Sequence, residues 1–301
     1  MVENKRGFCG IGESGAFYRS HPLINFIYFA VIIGFTMFSN HPVFLALSFV
    51  GAWVYSVVLK GRKALKFNAL ILVPVIAITV ILNALNVHNG VTVLFYLNGN
   101  RITLEAIIFG LVQGVMLTTV VIWFSTFNSV VTEDKFIYLF GRLSPVIAMT
   151  LSMVLRFIPL LKNRYSEISA AQRSMGRGAK GSGMFARVRL FAKKISILIA
   201  WSLEASIESA DSMEARGYGL KGRTSFHLYR MRKAEYWLLA SFILLGIICT
   251  LACVMDYTNI YYYPAVVIPP ASLGWGIGVL AFFVLMSLPI VCDIRGMRRW
   301  K

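Results

Sequence analysis

The sequence predicts an all-α integral membrane protein with about six transmembrane helices and long helices on the cytoplasmic side or at its interface. Three observations carry this prediction. The 301 residues are 57% hydrophobic and 14% charged, with a mean hydropathy of +0.70, whereas soluble domains are about a quarter charged. Six segments approach the roughly 20 apolar residues that a membrane span needs. Lysine and arginine are strongly biased toward one side of these segments.

The six predicted spans form a group of four and a group of two. A tight turn at Ser39–Pro42 joins the first two spans, and Pro74 lies inside the third, where a membrane helix tolerates a kink. Glu105 lies near one end of the fourth. The predicted spans are Leu23–Phe38, Val43–Leu59, Phe67–Leu85, Ile102–Phe127, Tyr236–Met255 and Ala271–Val291.

The distribution of basic residues orients the chain. Of the 30 Lys and Arg residues, all except Arg101 precede the first span, separate the second from the third, lie in the long segment before the fifth, or follow the sixth. The positive-inside rule then predicts a multi-pass protein of the cell (inner) membrane with both termini cytoplasmic. It also explains the net charge of +17 without a nucleic-acid partner. The predicted parts are 1–127 (membrane), 128–235 (cytoplasmic) and 236–301 (membrane).

The segment Ser144–Leu161 has the length and apolarity of a seventh span. Arg156 inside it would cost roughly 2.5–3.5 kcal/mol near the bilayer centre. A seventh crossing would also move the fifteen basic residues between Lys162 and Lys233 outside. We therefore expect a helix at the cytoplasmic interface, with Arg156 reaching water or paired inside the protein.

Two long helices are predicted in the cytoplasmic segment. The helical pattern of Ser144–Arg173 is broken by a run of glycines that starts at Gly176. A second helix is predicted over Met184–Ala215, with Gly217 and Gly219 as stop signals.

A glycine-flanked arginine follows each of these helices, Arg177 in Gly-Arg-Gly and Arg216 in Ala-Arg-Gly. A helix C-terminus carries partial negative charge and favours a cation. A following glycine adopts the left-handed turn, so the guanidinium is left at an exposed tip where it can bind carboxylates or carbonyls. This pattern indicates a docking group for a soluble partner. An ordinary basic helix cap is the alternative.

The remaining motifs indicate no catalytic or metal chemistry. The GxGxxG at Gly10–Gly15 has no strand before it, and no GxxxxGK[ST] occurs, so ATP would have to bind a partner. The GxxxG at Gly110–Gly114 favours close helix packing. The cysteines and histidines lack metal-ligand spacing. A membrane-embedded enzyme and a stand-alone carrier are the alternative functions, but no polar cluster within the spans supports either.

Four stretches resemble the transmembrane component of energy-coupling factor (ECF) transporters, the CbiQ/EcfT family. Arg156–Leu161 resembles the family's R-F-x-P-L-L element, and Ala171-Gln172 resembles the A-Q of its first arginine motif. Ser209–Tyr218 resembles the second motif, and His21–Leu23 resembles the family's N-terminal entry. The register of the first motif places Met175 where the family usually has its arginine. Either Arg173 or Arg177 would then serve instead, and Arg177 is preferred for its glycine-flanked context.

The resemblance implies a non-catalytic subunit of an ABC importer for a vitamin or metal ion. Its implied partners are two cytosolic ABC ATPases, which bind ATP and Mg, a small membrane substrate-binding subunit and the bilayer. No cofactor is implied for this chain itself. The residues implied to couple to the ATPases are Arg177, Arg173, Ala215, Arg216 and Gly217. Structural roles in the coupling helices are implied for Arg156, Pro159, Gln172 and Glu214.

Overall fold

A computed structural model describes residues 15, 17–87, 90–97, 100–143, 145–176, 183–220, 229, 231–255, 260, 262 and 272–298. These residues form nine helices and one antiparallel two-stranded sheet. The helices are α1 (Pro22–Phe38), α2 (Pro42–Lys60), α3 (Arg62–Asn86), α4 (Leu104–Val130), α5 (Glu133–Leu143), α6 (Pro145–Ser174), α7 (Met184–Ala215), α8 (Lys233–Val254) and α9 (Leu273–Arg298). The strands are β1 (Val93–Leu97) and β2 (Asn100–Thr103).

The helical membrane class predicted from composition is confirmed. Helices α2, α3, α4, α8 and α9 are long and apolar enough to cross a membrane, and α1 is equally apolar but has 17 residues. The start of the fourth span was predicted wrongly. Residues up to Thr103 belong to β2, which pairs with β1, so α4 begins at Leu104 rather than at Ile102. This hairpin between α3 and α4 was not predicted.

The chain divides into two compact units, Met1–Phe136 with Tyr229–Lys301, and Ile137–Leu228. The first, here called the membrane unit, has a core rich in aromatic rings from several of its helices. Trp123 of α4 is fully buried between the rings of Tyr28 and Tyr55, at 6.3 and 6.2 Å between centroids. The indole N–H of Trp123 donates to Ser48 Oγ at 3.0 Å, which satisfies a polar group that the apolar surroundings would otherwise penalise.

The GxxxG motif of α4 confirms the predicted close packing, here against α3. A Cβ added to Gly110 would lie 2.9 Å from the Cα of Val80, which is backbone and cannot move aside easily. At Gly114 the added atom would meet Thr79 Oγ1 at 2.4 Å and Ile76 Cα at 3.0 Å. Only glycine allows this approach of two membrane helices.

The second unit, here called the coupling unit, contains α6, α7 and most of α5. Helix α6 has 30 residues and α7 has 32, and they confirm the two long helices predicted over Ser144–Arg173 and Met184–Ala215 to within a residue at each end. Helix α7 is not among the helices of the described residues that are long and apolar enough to cross a membrane. Helix α5 was not predicted. It is short and begins with two acidic residues, Glu133 and Asp134, which suit the partial positive charge of a helix N-terminus.

Candidate functional site

The candidate site consists of the C-terminal ends of α6 and α7, and three contacts fasten these helices to each other. The Arg164 guanidinium of α6 lies 4.8 Å from the ring centroid of Trp201 in α7. Further along α6, the Tyr165 ring contacts Phe191 at 6.4 Å. Lys194 Nζ donates to Ser169 Oγ at 2.8 Å. Later residues of α6 meet earlier residues of α7, as expected for two helices that run in opposite directions.

Helix α7 ends in a complete Schellman motif. The Gly217 N–H donates to Glu214 O at 2.9 Å, and the Tyr218 N–H donates to Met213 O at 3.0 Å. Gly217 has a φ of 77°, the left-handed conformation that this turn requires. Arg216 therefore takes the cap position, the last half-helical residue, with φ −85° and ψ 6°. Its exposed side chain has no hydrogen-bonding or ionic partner among the described residues.

Helix α6 also ends at a glycine in the left-handed conformation, with the same first hydrogen bond. Gly176 has a φ of 74°, and its N–H donates to Arg173 O at 3.1 Å, which matches the bond from Gly217 to Glu214. Met175 therefore takes the cap position that Arg216 takes in α7, as the sequence register predicted. The Met175 side chain is 57% exposed. One turn of the same kind thus presents a thioether at one tip and a guanidinium at the other.

The charges beside the two tips also differ. The last four turns of α7 carry acidic residues at spacings of three or four, which share a face of the helix, and all of them are exposed. These residues are Glu204, Glu208, Asp211 and Glu214. In contrast, the last turn of α6 contains Arg173, also exposed. Across the described residues the ion pair found is Arg164–Glu167, at 2.7 Å within α6, so no described cation pairs with the α7 carboxylates.

The structure brings Ala215, Arg216, Gly217 and Glu214 together at the α7 tip. Arg173 lies in the last turn of α6, and Arg177 lies outside the described residues, so the choice between these two remains a prediction. The roles assigned to all these residues also remain predictions.

The other residues named from the sequence lie along α6. Arg156 is exposed, and within the described chain its side chain has no hydrogen bond or ion pair. Pro159 lies inside the helix, which continues past it. Gln172 is 5% exposed, and its Oε1 has no hydrogen-bond partner among the described groups. Sequence reasoning did not identify the contacts between Arg164 and Trp201 or between Ser169 and Lys194, because residues 25 or more apart carry no joint local signal.

A comparison with known proteins identifies the family of this chain. The profile of the family described as "CbiQ: Cobalt transport protein" matches residues 17–227, which is most of the chain. The chain belongs to the CbiQ family. With its apolar helices, this CbiQ-family chain is a multi-pass membrane protein.

Curated relatives of this CbiQ-family chain include proteins named energy-coupling factor transporter transmembrane protein EcfT. The EcfT of Lactobacillus helveticus is 38% identical over 100 residues, which cover 33% of this chain and 36% of the relative. EcfT 1 of Listeria monocytogenes is 37% identical over 83 residues (27% and 31%). The EcfT of Listeria innocua is 36% identical over 101 residues (33% and 38%). The chain thus aligns with about a third of the length of these relatives.

Proposed function

We propose that this chain is the transmembrane coupling subunit of an ECF-type ABC importer. In this role it transmits the ATP-driven motion of two cytosolic ATPases to a small substrate-binding membrane subunit, for uptake of a vitamin or metal ion. The family membership and the EcfT relatives support the assignment to this class of transporter. The observation that carries the coupling role is the pair of long helices that end in the same exposed glycine turn.

The α7 tip has the chemistry of a docking group. Arg216 extends from the cap position, where the helix C-terminus favours a cation. A guanidinium presents a planar fork of donors that binds a carboxylate with two parallel hydrogen bonds, so its binding fixes orientation as well as distance. Because the Schellman turn fixes the backbone on both sides of Arg216, a partner that grips the arginine also moves α7.

In this proposal ATP and magnesium bind to the ATPases, and this chain holds no cofactor. The ATPases close on ATP and displace the α6–α7 tips. The substrate-binding subunit then reorients and releases its substrate to the cytoplasm. The coupling unit and both chain termini face the cytoplasm, as the distribution of basic residues predicts. A Ser206→Cys variant, with the exposed thiol on α7, should accordingly react with an impermeant maleimide only in inside-out vesicles.

The decisive experiment is a pull-down of the tagged full-length chain from its native membrane in mild detergent, with mass spectrometry of the bound proteins. We expect ABC ATPases and a small hydrophobic protein with the wild type. Arg216→Glu reverses the charge at the α7 tip and should abolish ATPase recovery while the chain still inserts in the membrane. Desolvating a glutamate against a carboxylate costs several kcal/mol, which corresponds to more than a hundredfold loss of affinity.

Lys162→Glu is the control, because Lys162 is an exposed cation twelve residues before the end of α6 and lies away from both tips. It should retain the ATPases. Wild-type recovery with Arg216→Glu would refute docking through this arginine. A wild-type chain that is isolated without ATPases would instead favour a stand-alone carrier or a membrane-embedded enzyme, and would reduce both tips to ordinary helix ends.

A further inference from the structure

The start of α3 carries two exposed cations. Arg62 is the first residue of this helix, and Lys66 lies one turn further along it. No carboxylate of the described residues pairs with either side chain. The sequence contains no acidic residue between Glu13 and Glu105, so no residue near these cations in the chain supplies a negative charge. Both charges are therefore uncompensated by the part of the protein that the structure describes.

The lysine that precedes them is used differently. Lys60, at the end of α2, donates from its Nζ to the Ser125 carbonyl at 2.8 Å and to Ser125 Oγ at 2.6 Å. Its ammonium also lies 5.9 Å from the centroid of the Phe67 ring. Lys60 thus fastens α2 to α4, whereas Arg62 and Lys66 make no side-chain hydrogen bond or ion pair within the described residues.

The face of α3 that carries these cations continues as an exposed apolar surface. Leu70 lies one turn beyond Lys66 and is 75% exposed, and Val73 is 69% exposed. Residues three or four apart share a helix face, so these side chains continue the line of the cations. Ala64 and Asn68 are buried on the other side of the same turns. The line is here called the α3 stripe, and it consists of Arg62, Lys66, Leu70 and Val73.

The order and length of the α3 stripe match one leaflet of a bilayer. The apolar span within α3 begins at Ala64, so the cations lie at the edge of the hydrocarbon layer and the apolar residues lie inside it. From Lys66 to Val73 the helix rises roughly 10 Å. One leaflet contributes roughly 15 Å of hydrocarbon. A phospholipid has the complementary order, with a phosphate at the edge and an acyl chain below it.

We propose that the α3 stripe binds an anionic phospholipid. Arg62 and Lys66 bind the phosphate, and one acyl chain packs along Leu70 and Val73. The guanidinium supplies paired hydrogen-bond donors to the phosphate oxygens, and the ammonium adds a second positive charge. The proposal does not rest on the coupling function, because lipid binding at this helix requires neither ATPases nor a substrate-binding subunit.

The spacing of the two cations favours a lipid with a net negative charge. Because they lie one turn apart, both act on the same headgroup, and both repel the cation of a zwitterionic headgroup. Helix α8 provides a contrast. Arg232 and Lys233 at its start are adjacent in sequence, so they do not share a face, and Glu235 in its first turn supplies a negative charge. We therefore expect selective binding at α3 and not at α8.

Native mass spectrometry of the purified full-length chain in a neutral detergent measures this binding. The chain is titrated with palmitoyl-oleoyl phosphatidylglycerol (POPG) and, separately, with the zwitterionic phosphatidylcholine of the same acyl chains (POPC). We expect one POPG to bind more tightly than POPC. Arg62→Gln combined with Lys66→Gln should weaken POPG binding by about 25-fold, because each cation near an anionic lipid contributes about fivefold in affinity. POPC binding should not change.

The matched control removes the same charge from α8. Arg232→Gln combined with Lys233→Gln should keep the POPG affinity of the parent. Equal losses in the two double variants would mean that POPG responds only to total charge, and would overturn the site. An unchanged POPG affinity in the α3 double variant would also overturn it. If that variant does not fold, Lys66→Gln alone should weaken POPG binding by about fivefold, and an unchanged affinity would again overturn the site.

Two further readouts test the identity of the occupant. Glycerol 3-phosphate carries the phosphate without acyl chains, and in large excess it should not displace POPG, because Leu70 and Val73 hold only a lipid. Displacement would overturn the lipid as ligand and assign the cations to a soluble phosphate compound. A dimer mass that excludes POPG would also overturn the proposal, and would assign the α3 stripe to a second copy of the chain.

Discussion

The ends of α6 and α7 share a left-handed glycine and its hydrogen bond, but they carry different side chains. Gly176 and Gly217 have φ values of 74° and 77°, and each donates its N–H to the carbonyl three residues earlier. The cap residue is Met175 in α6 and Arg216 in α7. The comparison separates two tasks: the glycine ends the helix and exposes its tip, and the residue before the glycine determines what the tip can bind.

The two tips also differ in how closely contacts between α6 and α7 approach them. The contact between Ser169 and Lys194 lies five residues before the end of α6, so α7 braces this tip. Helix α7 extends fourteen residues beyond Trp201, and the hydrogen bonds of its side chains over that stretch stay within the helix. At 1.5 Å per residue this corresponds to roughly 20 Å of helix. We infer that the α7 tip is the more dependent on a partner for its position.

The largest expected effect comes from exchanging the two cap residues. Arg216→Met gives α7 the cap of α6 and should weaken ATPase binding by about 10- to 100-fold, because a hydrogen bond to a charged group contributes about 1.5–3 kcal/mol. Met175→Arg gives α6 the cap of α7 and should weaken binding by less than tenfold, because a flexible arginine at an exposed tip can turn its charge toward solvent. Titration of the detergent-solubilised variants with the purified ATPases gives both affinities.

An outcome in which Met175→Arg tightens binding would contradict this asymmetry. It would mean that the partner surface facing α6 already carries an unpaired carboxylate, and that the two tips meet equivalent sites. Lys162→Glu again serves as the control, since it reverses a charge away from both tips.

Local signals in the sequence were sufficient to predict where α6 and α7 end. Glycine after a helical pattern predicts a left-handed helix end, and the chain has such a glycine at Gly176 and Gly217. The register that places Met175 in the arginine position also follows from counting back from Gly176. Hydropathy located the membrane helices for a similar reason, because the length of a span is set by the bilayer rather than by distant residues.

Contacts between distant residues could not be predicted in this way. The hairpin of β1 and β2 has a local signal in Asn98-Gly99, but the apolar residues beside it also suit the end of a membrane span. The contact between Phe17 and Asp293 has no local signal, because these residues are 276 positions apart. Lys135 was counted only as one of many cytoplasmic cations, and its burial depends on where the N-terminal segment packs.

Replacing the two end glycines should have a smaller effect than exchanging the caps, and an unequal one. Alanine in the left-handed conformation costs about 1–2 kcal/mol, and both Gly176→Ala and Gly217→Ala incur this cost. At Gly217 the new Cβ would also lie 2.9 Å from Leu220 Cδ1, whereas at Gly176 no other atom of the described residues lies within 4 Å. Hydrogen exchange should therefore show a larger loss of protection at the Tyr218 amide in Gly217→Ala than at the amide of residue 176 in Gly176→Ala.

Gly183→Ala is the matched control for the glycine pair. Gly183 precedes α7 with a φ of −61°, and no atom of the described residues lies within 4 Å of an added Cβ, so alanine fits without backbone strain. Protection at the start of α7 should not change. Equal losses in Gly176→Ala and Gly217→Ala would show that Leu220 gives way at no cost and that the two turns are energetically the same.

The smallest expected effect concerns the contact that braces the helix pair. Trp201→Leu removes the ring beneath the Arg164 guanidinium, and a cation–π contact at an exposed site contributes about 0.5–1 kcal/mol. A double-mutant cycle with Arg164→Met, read from thermal unfolding in detergent, should give a coupling energy of this size. Trp237→Leu, at a tryptophan of α8 that is 78% exposed, is the control and should show no coupling with Arg164→Met. A coupling energy near zero for Trp201 would mean that the hydrogen bond between Ser169 and Lys194 is the contact that holds the two helices together. The stabilising contact would then lie closer to the α6 tip, and the difference between the two helix ends would be larger.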